Sequence, residues 1–435
     1  MKLISSQWNE SICHSCESND PGQEAVVREK RRGEASDSQV SPARSARATA
    51  ALRFVVVVGV MSFFADFTYE GSRSVLGQYL GLLGAGALAI SMVSGAGELL
   101  GYGLRLFSGP GADRTKKYWP ITIGGYVLQM SVVPLLALAG SWEVAAVLII
   151  LERVGKAIRN PPRDAMLAHA AEEIGYGWAF GLHEALDQFG ATFGPLFVAL
   201  ILVLDHHHYK LAFALLAIPA VIELSILLVA RFTYPHPENL EGPKAKVETT
   251  KGMPKVFWVY LAAAGLVGAG FADFPLIAFH FERAKVVSTD MVPVFYAIAM
   301  AVGGGGSLIF GRLFDRFGMK LLVPLTICAG VYAPLVFLGG FGTSLVGVIL
   351  WGLGSGIQES IIPAAVGRMV SSDRRASAFG IFTGGYGIAW FIGSTVIGLL
   401  FGVSLPAVVA FSMVAEFAAL PLFIATRRRI SAATN

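Results

Sequence analysis

Residues 52–67 read LRFVVVVGVMSFFADF, an apolar run with one charge near its start that ends on an aspartate set in the tetrapeptide FADF. The same tetrapeptide returns at 271–274, 207 positions later and in equally apolar surroundings. An ionised carboxylate is costly in hydrocarbon and marks a sheltered or functional position. The unbroken runs here and in AAVLIILE (145–152) fit helices that cross a bilayer. A transmembrane barrel would show segments of about ten residues with alternating polarity. Composition agrees, with 54% hydrophobic and 15% charged residues against about 25% charged in soluble domains, and a mean hydropathy of +0.61. Glycine accounts for 50 of 435 residues, which suits close helix packing where lipid provides no hydrophobic drive for association.

A spanning helix needs about 20 apolar residues, and breaks at charged or Gly/Pro-rich positions divide the chain into twelve spans. They are expected near 53–77, 86–107, 119–139, 143–161, 178–204, 209–230, 256–279, 291–311, 321–339, 344–366, 378–402 and 404–426. Basic residues collect in short cytoplasmic segments. With the N terminus inside, 29 of the 34 Lys and Arg fall on the inner side. Arg73, Lys210, Arg283 and Lys285 fall outside, and Arg153 lies within span 4. The expected localisation is therefore a multi-pass cell-membrane protein with both termini cytoplasmic.

Residues 1–51 are polar and read as a disordered cytoplasmic tail, followed by an uncleaved first span, because no short apolar core with a small-residue cleavage site precedes it. Within the tail, Cys13, His14 and Cys16 offer three metal-ligand side chains, whereas a structural zinc site takes four. No second half-site follows, so no metal or cofactor is assigned. The third cysteine, Cys328, sits in an apolar run and leaves no disulfide framework.

The chain also repeats. Residues 155–194 align with 354–393 at a spacing of 199 without a gap, matching Gly155, Ile158, Ala165, Ala179, Phe180, Gly181 and Gly194 to Gly354, Ile357, Ala364, Ala378, Phe379, Gly380 and Gly393. GPGADR (109–114) has a partner, GRLFDR (311–316), at a spacing of 202, and the two FADF stretches form a third pair. The expected organisation is a six-helix bundle at 52–230, a Pro/Lys/Glu-rich linker at 231–255, a second bundle at 256–428 and a short cytoplasmic tail at 429–435.

Six plus six spans, a long central linker and a G-x-x-x-D-R signature after spans 2 and 8 resemble the major facilitator superfamily of secondary transporters. The resemblance implies an all-α integral membrane protein of twelve transmembrane helices in two pseudo-symmetric bundles. The superfamily's signature continues with a Gly two residues after the Arg, which the second copy keeps as Gly318 and the first replaces with Lys116. GATFGP (190–195) is similar to the Gly-Pro signature of the antiporters, with Val198 in place of its last Gly, and Arg153 sits in span 4 as in drug-exporting members. By this resemblance Gly109, Asp113, Arg114 and Gly311, Asp315, Arg316 form gate loops, and Glu359 lines the central cavity.

The residues that carry chemistry follow from burial. Asp66 is a coupling candidate at or beyond the midplane toward the outside, with Glu70 one turn further on the same face and Arg73 beyond it as a partner for Glu70. Asp273 is the second FADF aspartate, followed by Pro275, which removes a backbone donor. Span 5 carries His183, Glu184, Asp187 and Gln188 as a polar stripe, and the segment before it supplies Arg153, Lys156, Arg159 and Arg163. Together they read as a charge-paired gate or, because His with two carboxylates suits a transition metal, as a cation site with the outward DHHHY (205–209) as a second capture point. Glu98, Glu223 and Glu416 are further embedded acids. The last two lie on spans that face lipid in the superfamily.

The function expected is secondary active transport of a small solute by alternating access, as proton-coupled efflux. A transition-metal exporter or a solute importer of the same fold is the alternative, and a non-transporting receptor or scaffold is the reading from a different class. No Walker-type loop supports an ATP-driven pump, and no enzyme constellation stands out. The expected partners are a small-molecule substrate, protons as coupling ion and the bilayer, with no nucleic acid, and the chain acts as a monomer.

Overall fold

The computed structural model describes residues 42–115, 117–174, 176–205, 208–236, 253–369 and 375–434. Every regular element among them is a helix. Span 1 consists of α1 (Pro42–Arg73) and, after a two-residue turn, α2 (Leu76–Leu82). Spans 2 to 5 are α3 (Ala87–Thr115), α4 (Tyr118–Leu135), α5 (Trp142–Ile174) and α6 (Tyr176–Leu204), and span 6 is α7 (Tyr209–Leu215) with α8 (Ala217–Thr233). Span 7 is split into α9 (Lys255–Gly270) and α10 (Phe274–Ala284), and span 8 is α11 (Met291–Phe317). Span 9 is α12 (Leu322–Gly330) with α13 (Tyr332–Phe337), and α14 (Phe341–Met369), α15 (Arg375–Val403) and α16 (Leu405–Thr434) complete the order.

Ten of these helices, split pieces counted together, are long and apolar enough to cross a bilayer. The two long helices that fall short do so for visible reasons. α5 carries Glu143, Glu152, Arg153, Lys156 and Arg159 in its first eighteen residues, and the apolar part of α11 is only Met291–Ser307. Side chains sort by helical face. On α6, Phe189, Phe193, Leu196, Leu200 and Val203 recur every three or four residues and are exposed, as a lipid-facing stripe requires. The opposite face is built on glycine: a Cβ on Gly190 or Gly194 would collide with the carbonyl oxygens of Phe63 and Phe67 on α1.

The spacing of 199 reappears in the helices. α6 and α15 both begin and end 199 positions apart, and so do the starts of α5 and α14. Gly393, the partner of Gly194, meets the backbone of Ala269 on α9 as Gly194 meets α1. The breaks in spans 1 and 7 share this register, because Ser74 lies 199 positions before Asp273. The two FADF stretches do not. They differ by eight residues from the repeat, so Asp66 lies inside continuous α1 and Asp273 sits at the break before α10, in extended conformation (φ −66°, ψ 143°). The pairing of the two aspartates as duplicates is therefore corrected.

Helices also run further than expected. Residues 42–51 continue α1 where a disordered tail was read, because the segment is rich in alanine, the best helix former. GPGADR is the helical end of α3 and not a loop, and GRLFDR likewise closes α11. Packing overrides the Gly-Pro signal at the end of α3, where the Ser108 hydroxyl donates to the Ala157 carbonyl of α5 (2.9 Å). The turn after α11 falls at Gly318, whose φ of +59° a side chain would resist. Only the helical backbone is described for Gly109, Asp113, Arg114, Gly311 and Asp315, while the Arg316 side chain is exposed. Cys13, His14, Cys16, Lys116, His206, His207 and residues 237–252 lie outside the described residues. The two sets of spans meet through α3 on α15, α6 on α11 and α2 on α10.

Candidate functional site

Where the helices converge they leave a cavity lined by residues of both sets of spans. Its two walls differ in chemistry. Spans 1, 2 and 4 contribute Tyr69, Glu70, Arg73, Glu98, Tyr102, Arg105, Arg153 and Lys156, whereas the later spans contribute mainly Phe271, Tyr296, Met300, Trp351 and Trp390, with Glu359. The aromatic wall is interlocked. Phe271 stacks on Trp351 (centroids 5.3 Å apart, 19° between planes) and meets the edge of Trp390 at 6.0 Å.

The charged wall is a network. Arg73 and Arg153 share one oxygen of Glu98, at 3.1 and 3.3 Å, and Arg153 also lies 3.6 Å from Glu152. Glu152 accepts a hydrogen bond from the Gln129 amide at 2.6 Å, and Gln129 in turn accepts one from the Arg159 Nε. Asp66 faces Arg159 at 3.6 Å and Lys156 at 3.9 Å. Arg159 is fully buried, donates to the Tyr126 hydroxyl at 2.8 Å and stacks on that ring. Tyr69 carries Lys156 on its face at 3.8 Å and Arg153 at 4.8 Å. Charges removed from water are tolerated when each has partners, and Arg73, Arg153, Arg159, Lys156, Glu98, Glu152 and Asp66 meet the condition by sharing them.

Glu70 differs from its neighbours. It lines the cavity, and its carboxylate accepts a hydrogen bond from the Tyr296 hydroxyl of α11. The ion pair expected between Glu70 and Arg73 does not form; the Arg73 guanidinium turns to Glu98, the Tyr69 hydroxyl (3.2 Å) and Asp273 (3.9 Å). Asp273 accepts hydrogen bonds from the Trp390 ring nitrogen (3.2 Å) and the Ser394 hydroxyl (2.8 Å) of α15. Neither Asp66 nor Asp273 is on the lipid face: they are 7% and 3% exposed and sit one layer behind the cavity lining. Asp66 is seven residues before Arg73 on α1, about 10 Å along the axis. It is therefore displaced from Asp273 toward the N-terminal end of span 1, and its partners are the residues of α5 expected on the inner side.

The polar stripe of α6 makes contacts with α1 and within itself. The His183 Nε2 lies 2.8 Å from the Ser62 hydroxyl, which also accepts from Arg163 at 3.2 Å. Arg163 pairs with its neighbour Asp164 at 2.8 Å. The Gln188 amide donates to Glu184 at 2.9 Å, and one oxygen of Asp187 is buried without a hydrogen-bond partner. Among the described residues no ion pair joins Glu184 or Asp187 to the α5 cations, and no three His, Cys, Asp or Glu side chains gather as metal ligands. His208 pairs with Asp205 (3.0 Å) on the surface.

Sequence reasoning singled out Asp66, Glu70, Arg153 and Lys156 but passed over the hub, Arg73 with Glu98. The signal was present in the charge count, where Arg73 is one of four basic residues off the majority side. Tyr69, Tyr296 and Trp390 were silent, since one aromatic among many carries no mark. Glu223 and Glu416 face the interior and not lipid: both are fully buried.

This is a polytopic helical membrane protein whose spans enclose a central charged cavity, the architecture of a carrier. The sequence profile of the Major Facilitator Superfamily matches residues 55–394, and the chain belongs to that superfamily. It is 39% identical to an uncharacterized protein of Mycobacterium tuberculosis (strain H37Rv), over 91% of this chain and 97% of that one. It is 26% identical to the fosmidomycin resistance protein of Escherichia coli (strain K12), over 69% of this chain and 76% of that one. Among solved structures, a variant of the nucleoside transporter NupG matches with a TM-score of 0.69 at 16% identity, over 85% of this chain and 100% of that one.

Proposed function

We propose that this chain is a secondary active transporter of the cell membrane that exports a small solute in exchange for protons. Spans 1–6 (52–230) and 7–12 (256–428) would be the two units that rock about the cavity, with both termini cytoplasmic. The observation that carries the coupling is the contact between Glu70 and Tyr296. Asp66 has two cations within ion-pair distance and Asp273 has one. Glu70 has none within 4.0 Å among the described residues, and its partner is a neutral phenol from the other set of spans. A proton taken up by Glu70 changes the charge of the cavity and alters a contact that the rocking motion must make and break. The close approach of α6 to α1 through Gly190 and Gly194 supports the antiporter-type motif, and efflux draws on the relative named for fosmidomycin resistance.

The test uses purified chain in proteoliposomes with fosmidomycin as the first compound. An imposed pH gradient should drive its accumulation. Glu70→Gln keeps the acceptor for Tyr296 but cannot titrate, so it should abolish gradient-driven accumulation and retain exchange of labelled for unlabelled compound. Undiminished gradient-driven accumulation in Glu70→Gln removes Glu70 from the coupling role.

A further inference from the structure

The cavity's walls also bear on the chemistry of the solute. On the charged wall nearly every ionic group already has a partner: Glu98 holds Arg73 and Arg153, Asp66 holds Lys156, and Glu70 is engaged by Tyr296. Arg105 is the exception. It lines the cavity from α3 with its guanidinium 5.4 Å above the Tyr102 ring, and no carboxylate pairs with it among the described residues. A cation on a cavity wall without an ion-pair partner is open to an anionic ligand. The rival is Glu359, which also lines the cavity. It too has no ion pair among the described residues, but the lining as a whole carries four cations (Arg73, Arg105, Arg153 and Lys156) against three acids (Glu70, Glu98 and Glu359).

The same cavity is lined by the aromatic cluster of Phe271, Trp351 and Trp390. Trp390 is held in place by its bond to Asp273, and a fixed aromatic surface favours flat apolar groups. We infer that the transported solute is an organic anion with a flat, aromatic body, its carboxylate, phosphonate or sulfonate held by Arg105 and its rings laid against Phe271, Trp351 and Trp390. This deepens the transport reading and rests on it for the word transported, but the binding stands by itself.

The experiment is therefore an equilibrium one, without a pH gradient. The full chain in lipid nanodiscs is titrated calorimetrically with 2-naphthoate and with 2-naphthylmethylammonium, which present the same rings with opposite charge. Saturable binding of naphthoate and none of the ammonium compound is expected. Arg105→Gln should weaken naphthoate by about tenfold or more, as loss of a charge-assisted hydrogen bond does, and Arg105→Lys should recover part of it. Tighter binding of the ammonium compound, abolished by Glu359→Gln, overturns the inference in favour of a cation. Failure of naphthoate to bind at millimolar concentration, or equal affinity in Arg105→Gln, also overturns it. Should Arg105→Gln fail to fold, the charge-reversed pair still decides on the unaltered chain. Naphthoate binding without proton-coupled flux would keep this inference and remove the coupling, and flux without naphthoate binding would do the reverse.

Discussion

The same four letters, FADF, occupy two physically different places. At 64–67 they lie inside continuous α1, and Asp66 is tied to Arg159 and Lys156 of α5, all within the first six spans. At 271–274 they straddle a break, and Asp273 joins the two sets of spans through Arg73. The break is tolerated because its backbone groups find side chains: the Ala272 amide donates to the Tyr332 hydroxyl (2.6 Å), the Ala272 carbonyl accepts from the Trp351 ring nitrogen (2.8 Å), and the Gly270 carbonyl accepts from the Ser412 hydroxyl (2.6 Å). Non-helical backbone at membrane depth survives only with such partners. The span 1 break needs no such help, since the Ser74 amide bonds the Glu70 carbonyl and its hydroxyl bonds the Gly71 carbonyl. A tetrapeptide therefore says little until its phase relative to the break is known.

The sharpest way to break this contrast is to neutralise each aspartate. Asp66→Asn leaves buried Arg159 and half-buried Lys156 without a carboxylate, and should cost about 3–5 kcal/mol of stability, as breaking a buried pair does. Asp273→Asn keeps an acceptor for Trp390 or Ser394 and should cost about 1–3 kcal/mol. Thermal and denaturant unfolding in detergent measures both, and equal losses would mean that the two sites are equivalent after all.

Next in size are the paired glycines. Gly194→Ala and Gly393→Ala each push a methyl group into the backbone of a neighbouring helix and should cost about 1–3 kcal/mol through overpacking. If the spacing of 199 describes the architecture, the two losses should be alike within error. A silent Gly393→Ala beside a damaging Gly194→Ala would break the symmetry.

The smallest expected effect is that of Ser394→Ala, which removes one of the two hydrogen bonds to Asp273 and should cost about 1 kcal/mol. In the Asp273→Asn background the loss should shrink if the two groups act as a pair. A loss unchanged in that background would place Ser394 in packing alone.

Much of this protein was determined by sequence alone. Long apolar segments with two embedded aspartates, a repeat at 199 and two G-x-x-x-D-R stretches led to the superfamily, because bilayer thickness and backbone satisfaction leave a chain few ways to cross a membrane. Asp66, Glu70 and Lys156 were legible for the same reason: a charge among apolar residues has no silent explanation. Tertiary structure alone decided which charges meet. It moved the partner of Arg73 from Glu70, three residues away on the same helix, to Glu98 on another. It placed Tyr296 on Glu70 across 226 positions, and it turned Glu223 and Glu416 inward. Periodicity reports which face of a helix is apolar, but the rotation of one helix against the next is set by small contacts such as Gly194 on Phe67. That rotation determines whether a carboxylate meets a guanidinium, a phenol or lipid.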